Sequence, residues 1–188
     1  MNETKKLIIA LPGEMACGKG TVADYLRRQY KAVYYRFSDP GRDILKRLYK
    51  PASRENMSAV NSALRTVFGE DYLVAVLMED VRQDKNALVV LDGARKLGEI
   101  AEFRRVEGFK LIYVDAADKL RYERLKQRAE NSGDKLKTFE QFLQDQELET
   151  EKDIRKLKET ADIVLDNQGT LEELYQKIDE MLAVFKNA

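Results

Sequence analysis

The sequence predicts a three-layer α/β fold, in which a five-stranded parallel sheet lies between two layers of helices. Five short apolar segments alternate with segments of helical periodicity along the 188 residues. The segment 87–91 is apolar throughout rather than alternating, which is typical of a central parallel strand covered on both faces. Right-handed crossovers then bring the carboxyl ends of the strands to one edge, where ligands bind in such sheets.

The first half of the chain predicts three strands and four helices. Strands are predicted at 7–11, 32–37 and 87–91, where apolar, β-branched and aromatic residues cluster. Helices are indicated over about 20–30, after 38–40 with Ile44, Leu45 and Leu48 on one side, and over about 53–68 and 72–82. Ser53 is a suitable cap for the third of these helices and Gly69 a suitable stop. The residues expected to face inward from the last two helices are Met57, Val60, Leu64, Val67, Leu73, Val76, Leu77 and Val81.

The second half predicts two further strands and the helices around them. The strands are 110–115 and 162–166, and helices are predicted over about 97–105 and 119–130. Two capping boxes open further helices, Thr138 with Gln141 and Thr170 with Glu173. The mixed-charge run 147–159 is interpreted as a solvated helix surface.

The first strand leads directly into a phosphate-binding loop, or P-loop. Gly13 is followed by four residues and then by Gly-Lys-Gly-Thr, a spacing that lets backbone N–H groups surround an anion at a helix N-terminus. Lys19 would contact the β- and γ-phosphates, and the Thr21 hydroxyl would bind Mg²⁺. ATP with Mg²⁺ is therefore the predicted ligand, with GTP left open as the donor. The nucleotide-binding residues predicted in the loop are Gly13, Cys17, Gly18, Lys19, Gly20 and Thr21.

The composition excludes several classes of chemistry. The 33 Lys and Arg residues balance 33 Asp and Glu residues, so no global charge favours nucleic acid or a membrane surface. The absence of histidine excludes Ser-His-Asp catalysis and His-ligated zinc, and the one cysteine excludes an internal disulfide. No signal-peptide pattern opens the sequence and no apolar run approaches a membrane span, so a cytoplasmic protein is expected.

Asp39 ends the second predicted strand, and Arg42 follows three residues later. This Asp-x-x-Arg pattern resembles the nucleoside monophosphate kinases. The layout of nearly the whole chain also resembles dephospho-CoA kinases and an archaeal family of nucleotide-kinase-like proteins of unsettled function. The resemblance implies that Arg42 binds the phosphate of the acceptor and that Asp39 has a catalytic role. Asp39 before Pro40 equally fits an ordinary helix cap.

Asp92 follows the central strand and resembles the Walker-B acid, which implies a role in the Mg²⁺ shell. Arg95 resembles the acceptor-side arginine of the monophosphate kinases, although their motif usually spaces it one residue further on. The archaeal family matches the spacing of this chain better, and it also carries an arginine at the position of Arg65. Arg65 and Arg95 are therefore predicted substrate-binding residues, with a solvated helix arginine as the alternative for Arg65.

Arg124 and Arg128 share a helix face and resemble the arginine pair that leads into the lid of these kinases. The resemblance implies that both act catalytically on the transferring phosphoryl group. Arg121, on the same helix, is expected to pair with Glu123 or Glu130. The segment after the last strand resembles the end of dephospho-CoA kinases, which makes Asn167 and Gln168 base-side candidates; a plain turn before a capped helix would look the same.

These observations predict one P-loop kinase domain over 1–188, with an acceptor-binding helical region at about 39–84 and a small helical lid at about 129–150. The expected function is transfer of the γ-phosphoryl group of ATP to a small nucleotide-type acceptor. A nucleoside monophosphate is the first choice, dephospho-CoA the second and phosphomevalonate a remote third. The alternative from another class is a regulatory ATPase that hydrolyses slowly. The protein is expected to be a monomer or a homodimer that binds neither nucleic acid nor membrane.

Overall fold

The strands form one parallel sheet in the order β2-β3-β1-β4-β5, with β1 at its centre. The computed structural model describes residues 6–128 and 136–187. The strands are β1 (Leu7–Leu11), β2 (Val33–Arg36), β3 (Leu88–Asp92), β4 (Phe109–Asp115) and β5 (Ile163–Asp166). The helices of the described residues are α1 (Lys19–Tyr30), α2 (Asp39–Arg47), α3 (Arg54–Phe68), α4 (Tyr72–Gln83), α5 (Leu97–Ala101), α6 (Asp118–Arg128), α7 (Phe139–Asp145), α8 (Glu149–Glu159) and α9 (Leu171–Asn187). The predicted three-layer α/β fold is confirmed.

Alternate residues of the central strand serve two separate cores. Ile9 and Leu11 pack with α1 and α9 on one face of the sheet. Ile8 and Ala10 pack with α4, α5 and α8 on the other face. All four side chains are fully buried, which explains why this strand is a continuous apolar run instead of an alternating one.

The strand register places the carboxyl ends together at one edge of the sheet. Leu11, which leads into the P-loop, pairs with Asp92 at the end of β3. On the other side of β1, Asp115 of β4 pairs with Asp166 of β5. The residues that follow three strands are therefore neighbours of the P-loop, as the edge rule for parallel sheets predicts.

Several helices differ from their sequence predictions, and in α4 Val76, expected to face inward, is 40% exposed. Helix α3 buries none of its residues, and Val67 at its end is 71% exposed, because α3 packs against neighbouring helices and not on the sheet. The helix predicted over 97–105 is divided into α5 and a 3₁₀ turn at Phe103–Arg105. The mixed-charge run is indeed helical, but α8 buries Ile154 and Leu157 against the sheet.

The predicted lid lies only partly within the described residues. Residues 129–135 lie outside them, and the remainder of 129–150 contains α7 and the start of α8. In the part of the chain that the structure describes, no helix has the length and apolar character needed to cross a membrane.

Gly108 provides a direct test of this packing, because it closes the turn that leads into β4. Its φ is +79°, and a Cβ added there would lie 2.1 Å from the carbonyl oxygen of Lys6. Gly108→Ala should therefore destabilise the fold by at least about 2 kcal/mol, since both the backbone conformation and the available space oppose a side chain.

The matched control is Gly98→Ala in α5, where a Cβ would meet no atom within 4 Å. This variant should be neutral or stabilising by up to about 1 kcal/mol, because alanine favours helix. Urea unfolding of both variants measures the difference, and equal stabilities would contradict the packing at Gly108.

Candidate active site

The P-loop joins β1 to α1, and its lysine contacts the loop itself. The Lys19 ammonium donates hydrogen bonds to the carbonyl oxygens of Gly13 at 2.5 Å and Glu14 at 3.0 Å. Gly18 has a φ of +105°, and a Cβ there would lie 2.1 Å from the side-chain amide of Asn167. The close approach of the β5–α9 connection thus requires glycine at this position.

A cleft of about 720 Å³ opens above the loop. Its lining brings together residues from α1, β3 and α6, all near the carboxyl edge of the sheet. They are Ala16, Gly18, Lys19, Gly20, Thr21, Asp92, Arg124, Gln127 and Arg128. Seven of these nine residues are sequence-predicted site residues. Gln127 was missed, although its position three residues after Arg124 on one helix face could have indicated it.

Asp92 has one oxygen that is bound and one that is not. The Tyr34 hydroxyl donates a hydrogen bond to Oδ2, whereas Oδ1 is buried and has no hydrogen-bond partner among the described residues. Burial raises the pKa of Tyr34, and the hydrogen bond to Asp92 raises it further, so Tyr34 remains a donor at neutral pH. Tyr34 was not predicted as a site residue, since nothing in the pattern of β2 indicates its partner on β3.

The residues present are suitable for Mg²⁺. No group of three or more His, Cys, Asp or Glu side chains with metal-ligand geometry occurs among the described residues. Mg²⁺ in phosphoryl-transfer sites needs no such group, because one or two protein oxygens, water and phosphate oxygens complete its shell. The orphaned Oδ1 of Asp92 and the hydroxyl of Thr21, both residues that line the cleft, fit that requirement.

Arg124 and Asn167 brace the end of the loop together. The Asn167 side-chain amide donates to the Cys17 carbonyl at 2.8 Å, and Asn167 is only 5% exposed. Arg124 donates to the same Cys17 carbonyl at 3.4 Å and to the Asn167 carbonyl at 3.0 Å. Both side chains therefore contact loop backbone. Gln168, the other base-side candidate, is exposed and donates to Asp166 at 2.8 Å.

Gly13 and Cys17 lie beneath the loop and do not line the cleft. A Cβ on Gly13 would lie 2.5 Å from the carbonyl oxygen of Val114 and 2.6 Å from the Cys17 sulfur, so the loop and β4 are in close contact. Cys17 is 1% exposed, and burial raises the pKa of its thiol. The buried thiol thus packs beneath the loop, and the predicted contact of Cys17 with nucleotide stays a prediction.

Among the described residues, the lining of the cleft includes none of the predicted acceptor-side residues. The Asp39 carboxylate accepts hydrogen bonds from the backbone N–H of Arg36 at 2.8 Å and from its Nε at 2.9 Å. Arg42 donates to the Ser38 hydroxyl at 3.3 Å, and Arg65 lies 3.5 Å from Glu70. Arg95 has an exposed side chain.

Arg121 is buried and pairs both within its own helix and with the P-loop. It is 1% exposed and lies 2.6 Å from Asp118 and 3.3 Å from Glu14 of the P-loop. Arg121 shares the buried face of α6 with Leu125, whereas Glu130, one of its two expected partners, lies outside the described residues. The four-residue spacing between Arg121 and Leu125 could have indicated in the sequence that Arg121 lies on the buried face of α6.

Comparison with known proteins agrees with this geometry. The chain matches the AAA domain family over residues 9–143. It is 30% identical over 177 residues to a UPF0200 protein of Sulfurisphaera tokodaii, covering 93% of this chain and 95% of that protein.

Two solved kinases share the fold. A shikimate kinase from Bacteroides thetaiotaomicron has a TM-score of 0.57 at 16% identity, covering 94% of this chain and 98% of that one. A gluconokinase from Sinorhizobium meliloti has a TM-score of 0.55 at 13% identity, covering 96% of this chain and 94% of that one. The P-loop kinase-like fold is thereby shown, whereas the nucleoside monophosphate kinase and dephospho-CoA kinase groups are not.

Asn167 allows the bracing contact to be tested separately from any contact with a base. Asn167→Ala should lower the free energy of unfolding by about 1–2 kcal/mol without nucleotide, because it removes a buried hydrogen bond to the loop. Gln168→Ala is the control, and it should change the stability by less than about 0.5 kcal/mol because Gln168 is exposed. Urea unfolding measures both variants. An unchanged free energy of unfolding in Asn167→Ala would contradict the bracing role of Asn167 and leave contact with the nucleotide as its only role.

Proposed function

The chain belongs to the AAA domain family and to the UPF0200 proteins, and on that premise we propose that it is an ATP-dependent phosphotransferase acting on a small nucleotide-type acceptor. The observation that carries the proposal is the cleft itself. Lys19 and Thr21 of α1, Asp92 of β3, and Arg124 and Arg128 of α6 line one space of about 720 Å³. A cleft of that size accommodates a nucleotide.

The donor side is formed by the P-loop. Lys19 leaves its resting contacts with the loop carbonyls and binds the β- and γ-phosphates as a point charge. Thr21 and the free oxygen of Asp92 hold Mg²⁺, while Tyr34 fixes the orientation of the Asp92 carboxylate. Bound Mg²⁺ supplies neutralisation of the phosphate charge.

The arginines of α6 act on the transferred group. Arg124 is held at the cleft wall by carbonyl oxygens, and Arg128 lies one helical turn further along the same face. Guanidinium groups that are already oriented stabilise the developing phosphoryl charge at low reorganisation cost. Their position before the predicted lid supports the role that the resemblance to small-molecule kinases implies.

The acceptor proposed first is a nucleoside monophosphate, bound by Arg42, Arg65 and Arg95. Arg65 is 41% exposed and its partner Glu70 is 80% exposed. Ion pairs of this kind contribute little to stability, so exchanging Glu70 for a phosphate group costs little. The solved neighbours support a kinase with a small-molecule acceptor, since they are named as kinases of shikimate and as a gluconokinase.

The decisive experiment is ATP turnover by the pure protein, with and without candidate acceptors. We expect one monophosphate to stimulate turnover and to appear as the phosphorylated product. Stimulation by dephospho-CoA instead would identify the second choice. A steady rate that is indifferent to every acceptor would replace the kinase proposal by a regulatory ATPase.

Lys19→Ala tests the donor site. It should reduce turnover by about 10²–10³-fold, because preorganised charges that bind the transferred group contribute about 2–4 kcal/mol to transition-state stabilisation. The fold should remain intact, since Lys19 contacts its own loop and not a core. Wild-type turnover at saturating ATP in this variant would contradict the P-loop assignment.

Asp39→Asn distinguishes the acceptor classes. A phosphate monoester is already largely a dianion at pH 7 and needs no base, whereas a ribose hydroxyl gains about 10²–10⁴-fold from a carboxylate. We expect a loss of about tenfold to a hundredfold in kcat, with the acid limb of the pH profile retained. Loss of all turnover of monophosphates, in a protein whose wild type phosphorylates dephospho-CoA, would reverse the order of the two acceptors.

A further inference from the structure

A carboxylate lies within the phosphate-binding loop. Glu14 directly follows Gly13, and its side chain is only 12% exposed. Two arginines bind it: Arg155 of α8 donates from Nε to Glu14 Oε1 at 2.8 Å, and Arg121 Nη2 lies 3.3 Å from the same oxygen. A negative charge so close to the phosphates would oppose their binding unless positive groups neutralised it.

Arg121 is the fixed member of this cluster. It is 1% exposed and donates to the Met15 carbonyl at 3.2 Å and to Gln146 Oε1 at 3.0 Å. Asp118 lies 2.6 Å from it and is 54% exposed. Arg121 therefore has a second carboxylate of its own, and its charge remains paired if Glu14 is altered.

Arg155 is the member that reaches the loop from beyond the predicted lid. In addition to Glu14, it donates from Nη2 to the Gln146 carbonyl at 2.8 Å. Gln146 follows directly after α7 and is 2% exposed. Arg155 thus joins the P-loop to the C-terminal end of α7 through two different nitrogens, which only the forked guanidinium can do.

The same loop residue also carries the resting contact of the catalytic lysine. The Glu14 carbonyl accepts a hydrogen bond from the Lys19 ammonium at 3.0 Å, while the Glu14 carboxylate is bound by Arg155. Any displacement of Glu14 therefore moves an acceptor of Lys19. Without Arg155, the Glu14 carboxylate would keep Arg121 at 3.3 Å but lose the shorter contact at 2.8 Å, so its charge would be less fully neutralised.

We propose that Arg155 is a positioning residue for nucleotide binding, which neutralises Glu14 and holds it away from the phosphates. The inference rests on the proposed function, because it requires that the loop bind ATP. Arg155 acts only through Glu14, and its effect is on binding and not on the chemical step. The contact with Gln146 makes nucleotide affinity dependent on the placement of α7.

The test measures ATP binding by isothermal titration calorimetry in Mg²⁺ buffer, using the full chain. Arg155→Ala should raise the Kd for ATP about tenfold, because small displacements at such a site are costly. Arg155→Lys retains the charge but cannot reach Glu14 and Gln146 together. Its Kd for ATP should therefore lie between the values for the wild type and for Arg155→Ala. In a Glu14→Gln background, Arg155→Ala should change the Kd by less than about twofold, since its target charge is absent.

The matched control is Lys152→Ala, which removes the same charge from the same helix. Lys152 is 49% exposed and lies 3.3 Å from Glu147 but makes no contact with Glu14. Its Kd should equal that of the wild type. Melting temperatures without nucleotide accompany each titration, because a merely structural role would lower these and leave the Kd of the folded protein unchanged. If Arg155→Ala does not fold, Arg155→Lys provides the same comparison.

Three outcomes overturn the proposal. Wild-type affinity in Arg155→Ala, where wild type binds ATP and Lys19→Ala does not, overturns this inference alone. An equal loss in the wild-type and Glu14→Gln backgrounds shows that Arg155 acts independently of Glu14 and also overturns it. Absence of ATP binding in the wild type overturns the proposed function, and this inference with it.

Discussion

The structure depends on how neighbouring segments hold the backbone of the P-loop, in addition to the loop's own turn, in which the Cys17 N–H donates to the Glu14 carbonyl at 3.3 Å. The Val114 N–H donates to the Pro12 carbonyl at 2.9 Å, and Asn167 binds the Cys17 carbonyl at the other end of the loop. The loop can therefore present its N–H groups in one arrangement before any anion arrives. Preorganisation of this kind lowers the reorganisation required during phosphoryl transfer.

Buried polar groups are arranged around the loop in two sets with opposite consequences. On the β3 side, Tyr34 leaves one oxygen of Asp92 unsatisfied, which favours a cation. On the α6–α8 side, two arginines more than satisfy Glu14. The site therefore combines an unsatisfied carboxylate oxygen with a neutralised carboxylate, and both suit the polyanionic ligand with Mg²⁺ that we propose.

Helix α3 is held less firmly than the helices that pack on the sheet. Helix α3 has no buried residue. The arginines of the nearby ion pairs, Arg36 with Asp39 and Arg65 with Glu70, have exposed side chains. Elements with little buried apolar surface open at low cost and are the usual source of motion during ligand binding. Helix α3 is thus the element best suited to move if an acceptor binds as we propose.

The sequence by itself determined the strands, the P-loop and the residues that follow each strand, because these depend on short-range patterns and on the common edge of a parallel sheet. Only the tertiary structure determined which side chains bind one another. Tyr34 with Asp92 joins residues 58 positions apart, and Arg155 with Glu14 joins residues 141 positions apart. Helical spacing gave α3 an inward face, but only packing could show that the sheet does not cover it. Local propensity acts within a few residues, whereas the pairing of charges depends on where whole elements dock, which no local spacing encodes.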